Sequence, residues 1–356
     1  MEAVHPVPSY RFEQLDALRG LCALAVVGFH TSFLTGVRFA PSGYLAVDVF
    51  FVISGFVIAH AYGDRLQRGH YFTTYLIKRY ARFLPMWWIG VAIGMTAAFP
   101  GVYHDRAWSG FAISSALALV ILPNPGEHVL FPLNLPGWSL FVELTVNIGY
   151  AALLPRLSRR VLVGTIATSF LYIVLATLRH GNMSSGFTWD TADAGMARGV
   201  YGFAVGVLIH RLGLHRKPRF LSGRWALAAL GGVVILLFAD VVGGVRPWFD
   251  LACAGVVIPV TIAGLVGTGC SWRGCETLGA ISYPIYAIHF GVFLLAKTFV
   301  GLASGWQQSY LSGSAALLVG LSVVSMGFVL GKFVDPQCQR IIGRYARIRA
   351  VAVAKA

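Results

Sequence analysis

Long apolar runs alternate with short polar or basic segments along the whole chain. A transmembrane helix needs about 20 mainly apolar residues, because it must cross a hydrocarbon core of about 30 Å at about 1.5 Å per residue. The segments that meet or approach this length lie at about residues 16–37, 43–62, 84–99, 111–122, 138–154, 161–178, 196–210, 225–242, 249–267, 279–300 and 311–331. The pattern predicts an all-α fold, a polytopic bundle of membrane helices.

The basic residues between these segments predict how the bundle is oriented. Lys and Arg concentrate in segments 63–82, 156–160 and 211–224 and in the C-terminal tail, whereas segment 179–195 is acidic. Short loops rich in Lys and Arg stay in the cytosol. We therefore expect all of the basic segments on the cytosolic side.

Parity then requires that one apolar segment does not cross the membrane. Three segments separate Arg82 from Arg156, and three crossings would place Arg156 and every later basic loop outside the cell. The two segments before Pro123 have only 12 and 16 residues, so one of them is the favoured exception. The choice stays open among segments 84–99, 111–122 and 138–154. We predict about ten transmembrane helices plus one re-entrant or interfacial segment, with both termini in the cytosol.

The domain organisation follows from the same pattern. We expect a single transmembrane domain, residues 1–335, and a basic cytosolic tail, residues 336–356. The polar start of the chain and the lack of a small-residue cleavage site predict that the first span is kept as an anchor. The expected location is multi-pass in the plasma membrane, most simply a bacterial inner membrane.

Composition agrees with a membrane protein and narrows its chemistry. Hydrophobic residues make up 57% and charged residues 12% of the 356 residues, against roughly 25% charged residues in soluble domains. The net charge of +14 does not indicate nucleic acid binding, because the basic residues cluster between spans and face the lipid bilayer. The five cysteines form no C-x2-C pair and no histidine cluster completes a zinc set, so neither a metal site nor a bound cofactor is predicted.

His30 is the first candidate for chemistry, because it lies deep inside the first apolar span. It follows Arg19 by eleven residues, about three helical turns or ~16 Å, so both side chains share one face. An ionisable group inside a span is a functional hypothesis by default, and a neutral imidazole is suited to general-base catalysis. The alternative is a structural hydrogen bond within the bundle, which we also expect for His289.

Glu143 is the second candidate, in the stretch WSLFVE. If its span runs from outside to inside, Glu143 reaches a depth similar to that of His30. We expect the carboxylate to orient or stabilise the imidazole, as in a catalytic triad. The alternative is that Glu143 bonds Trp138, Ser139 or the local backbone and holds a broken helix.

Basic and polar residues near the span ends complete the candidate set. Lys78, Arg79 and Arg82 with Arg19 form a basic mouth on the cytosolic side, which suits phosphates but also lipid headgroups. Asp48 is expected to cap its helix or to bind an acceptor hydroxyl. Ser54 has no adjacent base in the sequence and is not expected to be a nucleophile, and Gly55 beside it favours close helix approach.

Five stretches together resemble the acyltransferase 3 family of integral membrane O-acyltransferases. In order they are the R-x10-H pair Arg19 and His30, GYLAVDVFFVISGFVI, KRYARFLPMWW, WSLFVE and SYPIYAIHF. The resemblance covers about residues 14–331 and implies a ten-helix acyltransferase domain. Many bacterial relatives continue into an extracytoplasmic esterase-like domain, whereas only about 25 residues follow the last span here. We therefore expect direct transfer to the acceptor, or completion by a separate protein.

The resemblance also implies roles for individual residues. His30 matches the essential histidine and Arg19 its paired arginine, Arg79 and Arg82 match a basic element associated with the donor, and Trp138, Ser139 and Glu143 match the WSLxxE element. It implies acyl-coenzyme A as the cytosolic co-substrate and a carbohydrate or related hydroxyl as acceptor, with acetyl as the default group. Both direct transfer and an acyl-histidine intermediate fit.

Two other functions stay open at this point, as does the oligomeric state. A transporter or flippase for lipid-linked sugars would use the buried ionisable residues as a substrate or proton path. The single helix break around residues 123–136 counts against it, because transporters often show broken helices in both halves. A non-catalytic scaffold would make the candidate set incidental.

Overall fold

The structure is a bundle of helices. The computed structural model describes residues 12–67, 71–216, 223–268, 273–305 and 310–343. Within these ranges the backbone forms helices and turns, and the only β contact is an isolated bridge between Val129 and Thr188. The predicted all-α class is therefore confirmed.

The helices follow the predicted apolar segments closely. Their bounds are α1 Glu13–Thr35, α2 Ala46–Gln67, α3 Phe72–Asp105, α4 Trp108–Leu119, α5 Gly137–Leu153, α6 Arg159–His180, α7 Ala192–Arg211, α8 Gly223–Phe238, α9 Arg246–Ala252, α10 Ile258–Val266, α11 Arg273–Ala303 and α12 Gly313–Val329. A π-helical turn, Cys253–Val257, joins α9 to α10, so the two form one continuous rod. In the described part of the chain, nine helical segments are long and apolar enough to cross a membrane, and α4 and α8 are shorter.

Helix α3 differs from the expectation of a basic loop followed by a short span. It runs for 34 residues with Pro85 inside it, so Lys78, Arg79 and Arg82 lie on a helix rather than in a loop. The prediction was wrong because it ended the element where charges begin. A helix satisfies its backbone internally, so it can continue past the edge of the hydrocarbon core.

The segment that falls short of a crossing is α4. It has 12 residues, about 18 Å, whereas the other two candidate segments lie within the 34-residue α3 and within the 20-residue helical segment Gly137–Arg156. The chain from 120 to 136 is then non-helical; residues 125–128 are exposed, whereas residues 129–136 are buried or half-buried. Asn134 Nδ2 donates to the Ala287 carbonyl of α11 at 2.9 Å, and the Leu133 carbonyl lies against Gly94 of α3. Protein thus covers this backbone, as its place inside a membrane bundle requires.

The orientation and the number of crossings stay predictions. Ten crossings require that α8, with 16 residues or about 24 Å, also spans the bilayer. The last helix continues through a second π-helical turn to Gly343, so the expected boundary between residues 335 and 336 falls inside it. Residues 1–11 and 344–356, including most of the expected basic tail, lie outside the described residues, as does Cys270.

Glycines allow the central helices to approach closely. A Cβ at Gly55 of α2 would meet the Phe203 carbonyl of α7, and one at Gly90 of α3 would meet the Ala287 carbonyl of α11. In lipid, close packing replaces the hydrophobic driving force between helices, so small residues mark these interfaces. The predicted role of Gly55 is therefore confirmed.

We expect Gly55→Leu to destabilise the bundle by overpacking, by roughly 1–3 kcal/mol. The matched control is Gly164→Leu in α6, where a Cβ has open space within 4 Å. The measurement is thermal unfolding of the detergent-purified protein followed by size-exclusion chromatography. Equal melting temperatures for the two variants would contradict a close α2–α7 contact.

Candidate active site

His30 lies in the last third of α1 and contacts a second histidine, His289 of α11. His30 Nδ1 is 3.1 Å from His289 Nε2 and 3.1 Å from the Val26 carbonyl one turn earlier. Phe29 and Phe290 pack edge-on against the His30 ring. The expected bundle hydrogen bond of His289 is present, and its partner is the candidate base itself.

The hydrogen bonds assign the tautomers of both rings. His289 Nδ1 is 2.8 Å from the Tyr286 carbonyl, and a carbonyl only accepts, so Nδ1 carries the proton in the neutral ring. His289 Nε2 is then an acceptor and receives the Nδ1 proton of His30. This assignment follows from the network rather than from observed hydrogens. It leaves His30 Nε2 as the unprotonated nitrogen, the form that a general base needs.

A polar cavity of about 150 Å³ lies at the arginine end of the same helices. Its charged and hydroxyl-bearing lining comes from α1, α2, α3, α5 and α11: Arg19, Ser54, Arg79, Arg82, Ser139, Glu143, Ser282, Tyr283 and Tyr286. Three of the four residues expected in the basic mouth are therefore brought together. Lys78 is the exception: it is exposed and donates to the Tyr71 hydroxyl at 2.9 Å.

Two of the three arginines are paired. Arg79 donates to Glu143 Oε1 at 3.0 Å, and Arg82 donates to Asp335 of the last helix at 2.8 Å. Arg19 forms no ion pair or side-chain hydrogen bond among the described residues. Among the residues that line the cavity, three guanidinium groups face one carboxylate, Glu143; Asp335 and Asp16, which act on Arg82 and Arg19, lie outside the lining.

One donor at the cavity is buried without a partner. The Nε–H of Arg79 has no hydrogen-bond partner in the described part of the chain, although the other end of its guanidinium binds Glu143. A buried unsatisfied donor costs roughly 1–3 kcal/mol. With the excess positive charge, this favours an anionic ligand at the site.

The expected contact between Glu143 and His30 is wrong. Glu143 accepts from Arg79 and from Ser54 Oγ, the latter at 2.8 Å, so it belongs to the arginine cavity. Ser54 accordingly has an acidic partner that the sequence did not indicate. The reason is the depth at which α5 begins. The backbone just before Gly137 contacts Ala287 of α11, so α5 starts near the histidine pair. Glu143 lies about two helical turns after Gly137 and therefore reaches the arginines.

Tyr286 stands between the cavity and the histidine pair. It lines the cavity, and its hydroxyl bonds Ser139 Oγ at 2.5 Å. Its ring centroid lies 5.7 Å from that of His289 and 5.7 Å from that of Phe50. His30 is not part of the cavity lining. These two aromatic rings therefore separate the arginine cavity from His30.

Asp48 and Trp138 belong to a buried ionic network rather than to the cavity. Asp48 pairs with Arg198 of α7 at 2.7 Å, with side chains 6% and 2% exposed. The Arg198 guanidinium also lies over the Trp138 ring, 5.4 Å from its centroid. Asp48 therefore neither caps its helix nor faces free space, because a buried carboxylate needs a paired cation.

The network contains charged residues that the sequence analysis missed. Tyr44 donates to Asp250 at 2.5 Å and accepts from Arg246, which also pairs with Asp250 at 3.1 Å. The sequence did contain an indication of this network. Arg198 is an isolated charge in an apolar run rich in small residues, and Asp48 is an isolated opposite charge in another span. Such isolated charges inside spans almost always pair with one another.

Comparisons with known proteins agree with this architecture. A family model described as an acyltransferase domain matches residues 12–331. Acyltransferase MdmB of Streptomyces mycarofaciens is 26% identical, over 94% of this chain and 93% of its own length. Exopolysaccharide production protein ExoZ of Rhizobium meliloti is 27% identical, over 84% and 92%.

A third relative is Peptidoglycan O-acetyltransferase OatA of Listeria monocytogenes. It is 27% identical over 79% of this chain, which spans only 49% of the relative. No solved structure matches significantly. Because the family model covers most of the chain, the resemblance found in the sequence is confirmed: this protein belongs to the acyltransferase 3 family of multi-pass membrane enzymes.

Proposed function

We propose that this enzyme transfers an acyl group, most simply acetyl, from cytosolic acyl-coenzyme A to a hydroxyl of a carbohydrate or related acceptor. It would act in the plasma membrane of a bacterium. The observation that supports this best is the His289–His30 relay, which leaves His30 Nε2 free as a base inside the membrane. The arginine cavity lies along the same pair of helices, α1 and α11.

The proposed reaction needs one base and one leaving group. His30 Nε2 takes the proton of the acceptor hydroxyl while that oxygen attacks the thioester carbonyl carbon. A C–O bond forms and the C–S bond breaks. The coenzyme A thiolate leaves and receives the proton from the imidazolium. His289 is a positioning residue, because it fixes the tautomer and orientation of His30 through Nδ1.

The arginine cavity is the proposed site of the donor phosphates. Arginine forks suit phosphate oxygens, and Arg19 and the Nε–H of Arg79 are available for an anion. The cavity volume of about 150 Å³ is below the roughly 300–1,000 Å³ of sites that enclose a drug-sized ligand. Only part of a coenzyme A molecule would fit, so the rest would extend into the cytosol or require the cavity to open.

Transfer also requires a route past the aromatic barrier. Tyr286 and Phe50 separate the cavity from the histidines. We propose that these rings move when the thioester arm binds, which brings the carbonyl to His30. The acceptor would approach from the opposite side of the membrane, where α1 ends only five residues after His30. A hydroxyl acceptor agrees with the name of the relative from Listeria monocytogenes, a peptidoglycan O-acetyltransferase.

The test is incubation of the purified protein with radiolabelled acetyl-coenzyme A and candidate glycans. Label in the glycan together with release of free coenzyme A supports the proposal. A transporter would move the glycan across proteoliposomes without transferring label, and a scaffold would do neither.

We expect His30→Ala to reduce transfer by at least about 100-fold, the contribution typical of a positioned general base. The matched control is His104→Ala, whose side chain is 87% exposed and which should keep full activity. His289→Phe should lower kcat while leaving KM for acyl-coenzyme A unchanged, because it misorients the base without touching the donor site. Normal turnover by the His30 variant, with correct membrane insertion, would exclude the mechanism.

We expect Arg19→Gln to raise KM for acyl-coenzyme A by about tenfold, since a hydrogen bond to a charged group is worth about 1.5–3 kcal/mol. Lys78→Gln is the control, because Lys78 is exposed and lies outside the cavity lining. If the basic residues served only lipid headgroups, both variants would behave alike and KM would not change.

A further inference from the structure

Three histidines gather at the arginine end of the bundle, apart from His30 and His289. They are His60 near the end of α2, His210 in the last turn of α7 and His215 in the helical turn that follows. One nitrogen of each ring lies within 4.8 Å of the others. The sequence predicted no metal site, because His60 precedes His210 by 150 residues and His215 by 155, and only the fold brings the three together.

The three imidazoles contact one another and also pack against Phe56, whose ring centroid lies 5.7–6.1 Å from theirs. The centroids lie 5.6 Å apart for His60–His210, 5.1 Å for His60–His215 and 5.0 Å for His210–His215. All three residues are partly exposed, so an ion has access from solution. Three imidazoles this close would have to satisfy six ring nitrogens, and no hydrogen bond joins these rings to one another or to a carboxylate in the described part of the chain.

One ring nitrogen is buried and unsatisfied. Among the residues that the structure describes, His215 Nδ1 has no hydrogen-bond partner. A buried polar atom without a partner calls for an explanation, and a bound ion is one. Asp64, one turn after His60, interacts electrostatically with His60 and His210 and offers a carboxylate. Arg216 is the opposing charge nearby, but its side chain is exposed and free to turn into water.

We propose that His60, His210 and His215 bind a divalent transition metal, most simply Zn²⁺, with water or Asp64 as the fourth ligand. Imidazole nitrogens suit Zn²⁺ at about 2.0–2.1 Å, so tetrahedral ligands lie roughly 3.4 Å apart. Ligand atoms within 4.8 Å reach this spacing by small side-chain rotations. Zn²⁺ brings no redox step, and the reaction proposed above does not use the ion.

A bound metal ion would connect helices at the end of the bundle where the arginine cavity lies. The site joins the end of α2 to the end of α7, and Phe12 packs edge-on against His60 and His215, with centroids 5.2 and 6.3 Å away. Phe12 directly precedes α1, and Arg19 lies two turns further along that helix. A bound ion would thus hold the start of α1 and fix the position of Arg19.

The first test is Zn²⁺ titration of the chelator-treated, full-length protein in detergent, purified without a polyhistidine tag. We expect one Zn²⁺ per chain by calorimetry and a rise in melting temperature on binding. His60→Ala, His210→Ala and His215→Ala should each weaken binding at least tenfold, since even outer-shell changes cost about 10- to 100-fold. His104→Ala is the control and should bind like the wild type.

A variant that gains a spectroscopic band tests the site even if the alanine variants lose zinc only because they are less stable. In Co²⁺-loaded His215→Cys protein we expect a thiolate-to-cobalt charge-transfer band that the wild type lacks. Absence of that band would overturn the proposal. The proposal would also be wrong if His289→Ala lost zinc while the His60, His210 and His215 variants bound it normally. A wild-type protein that binds no Zn²⁺ would overturn it as well.

Discussion

The hydrogen bond between His30 and His289 is the interaction on which the site depends. Two imidazoles inside a membrane bundle must satisfy their nitrogens within the protein, because lipid offers no partner. The bond forms because α1 and α11 approach closely: a Cβ at Gly20 would meet Leu278, and one at Gly279 would meet Asp16. The backbone carbonyl of Tyr286 then decides which nitrogen of His30 stays free.

The charged groups follow the same rule and divide into two sets. Asp48 pairs with Arg198 and Asp250 with Arg246, and Tyr44 contacts both arginines, so the set ties α2, α7 and α9 together. Removing one partner from such a buried pair leaves an uncompensated charge, so the set behaves as structure. The arginine cavity is different, because its guanidinium groups outnumber its carboxylates. An excess of guanidinium groups in the lining of a cavity, rather than a lone unsatisfied atom, is what separates the two sets here.

The non-helical segment between α4 and α5 sets the depth of the helices that carry the candidate site. It places the start of α5 beside Ala287 and Tyr286, within one turn of His289. As a result Ser139 contacts Tyr286, while Glu143, one turn further, faces the arginines. The WSLFVE stretch therefore lies between the histidine pair and the arginine cavity, with Ser139 facing Tyr286 and Glu143 facing Arg79.

The sequence by itself determined the helical class, the spans, the family and the residues worth testing. A segment can cross lipid only if its side chains are apolar and its backbone forms a helix. This requirement concerns each segment by itself, so the spans can be predicted from the sequence one segment at a time. The sequence correctly predicted that three arginines lie together: Arg19, Arg79 and Arg82. The positive-inside rule places all three at one side of the membrane, and the spacing of three residues places Arg79 and Arg82 on one helical face. Pairing was decided only by the tertiary structure. Glu143 with Arg79, Arg82 with Asp335, Asp48 with Arg198 and the three clustered histidines all join distant helices, and their contacts depend on the relative depth of each helix, which no local pattern encodes.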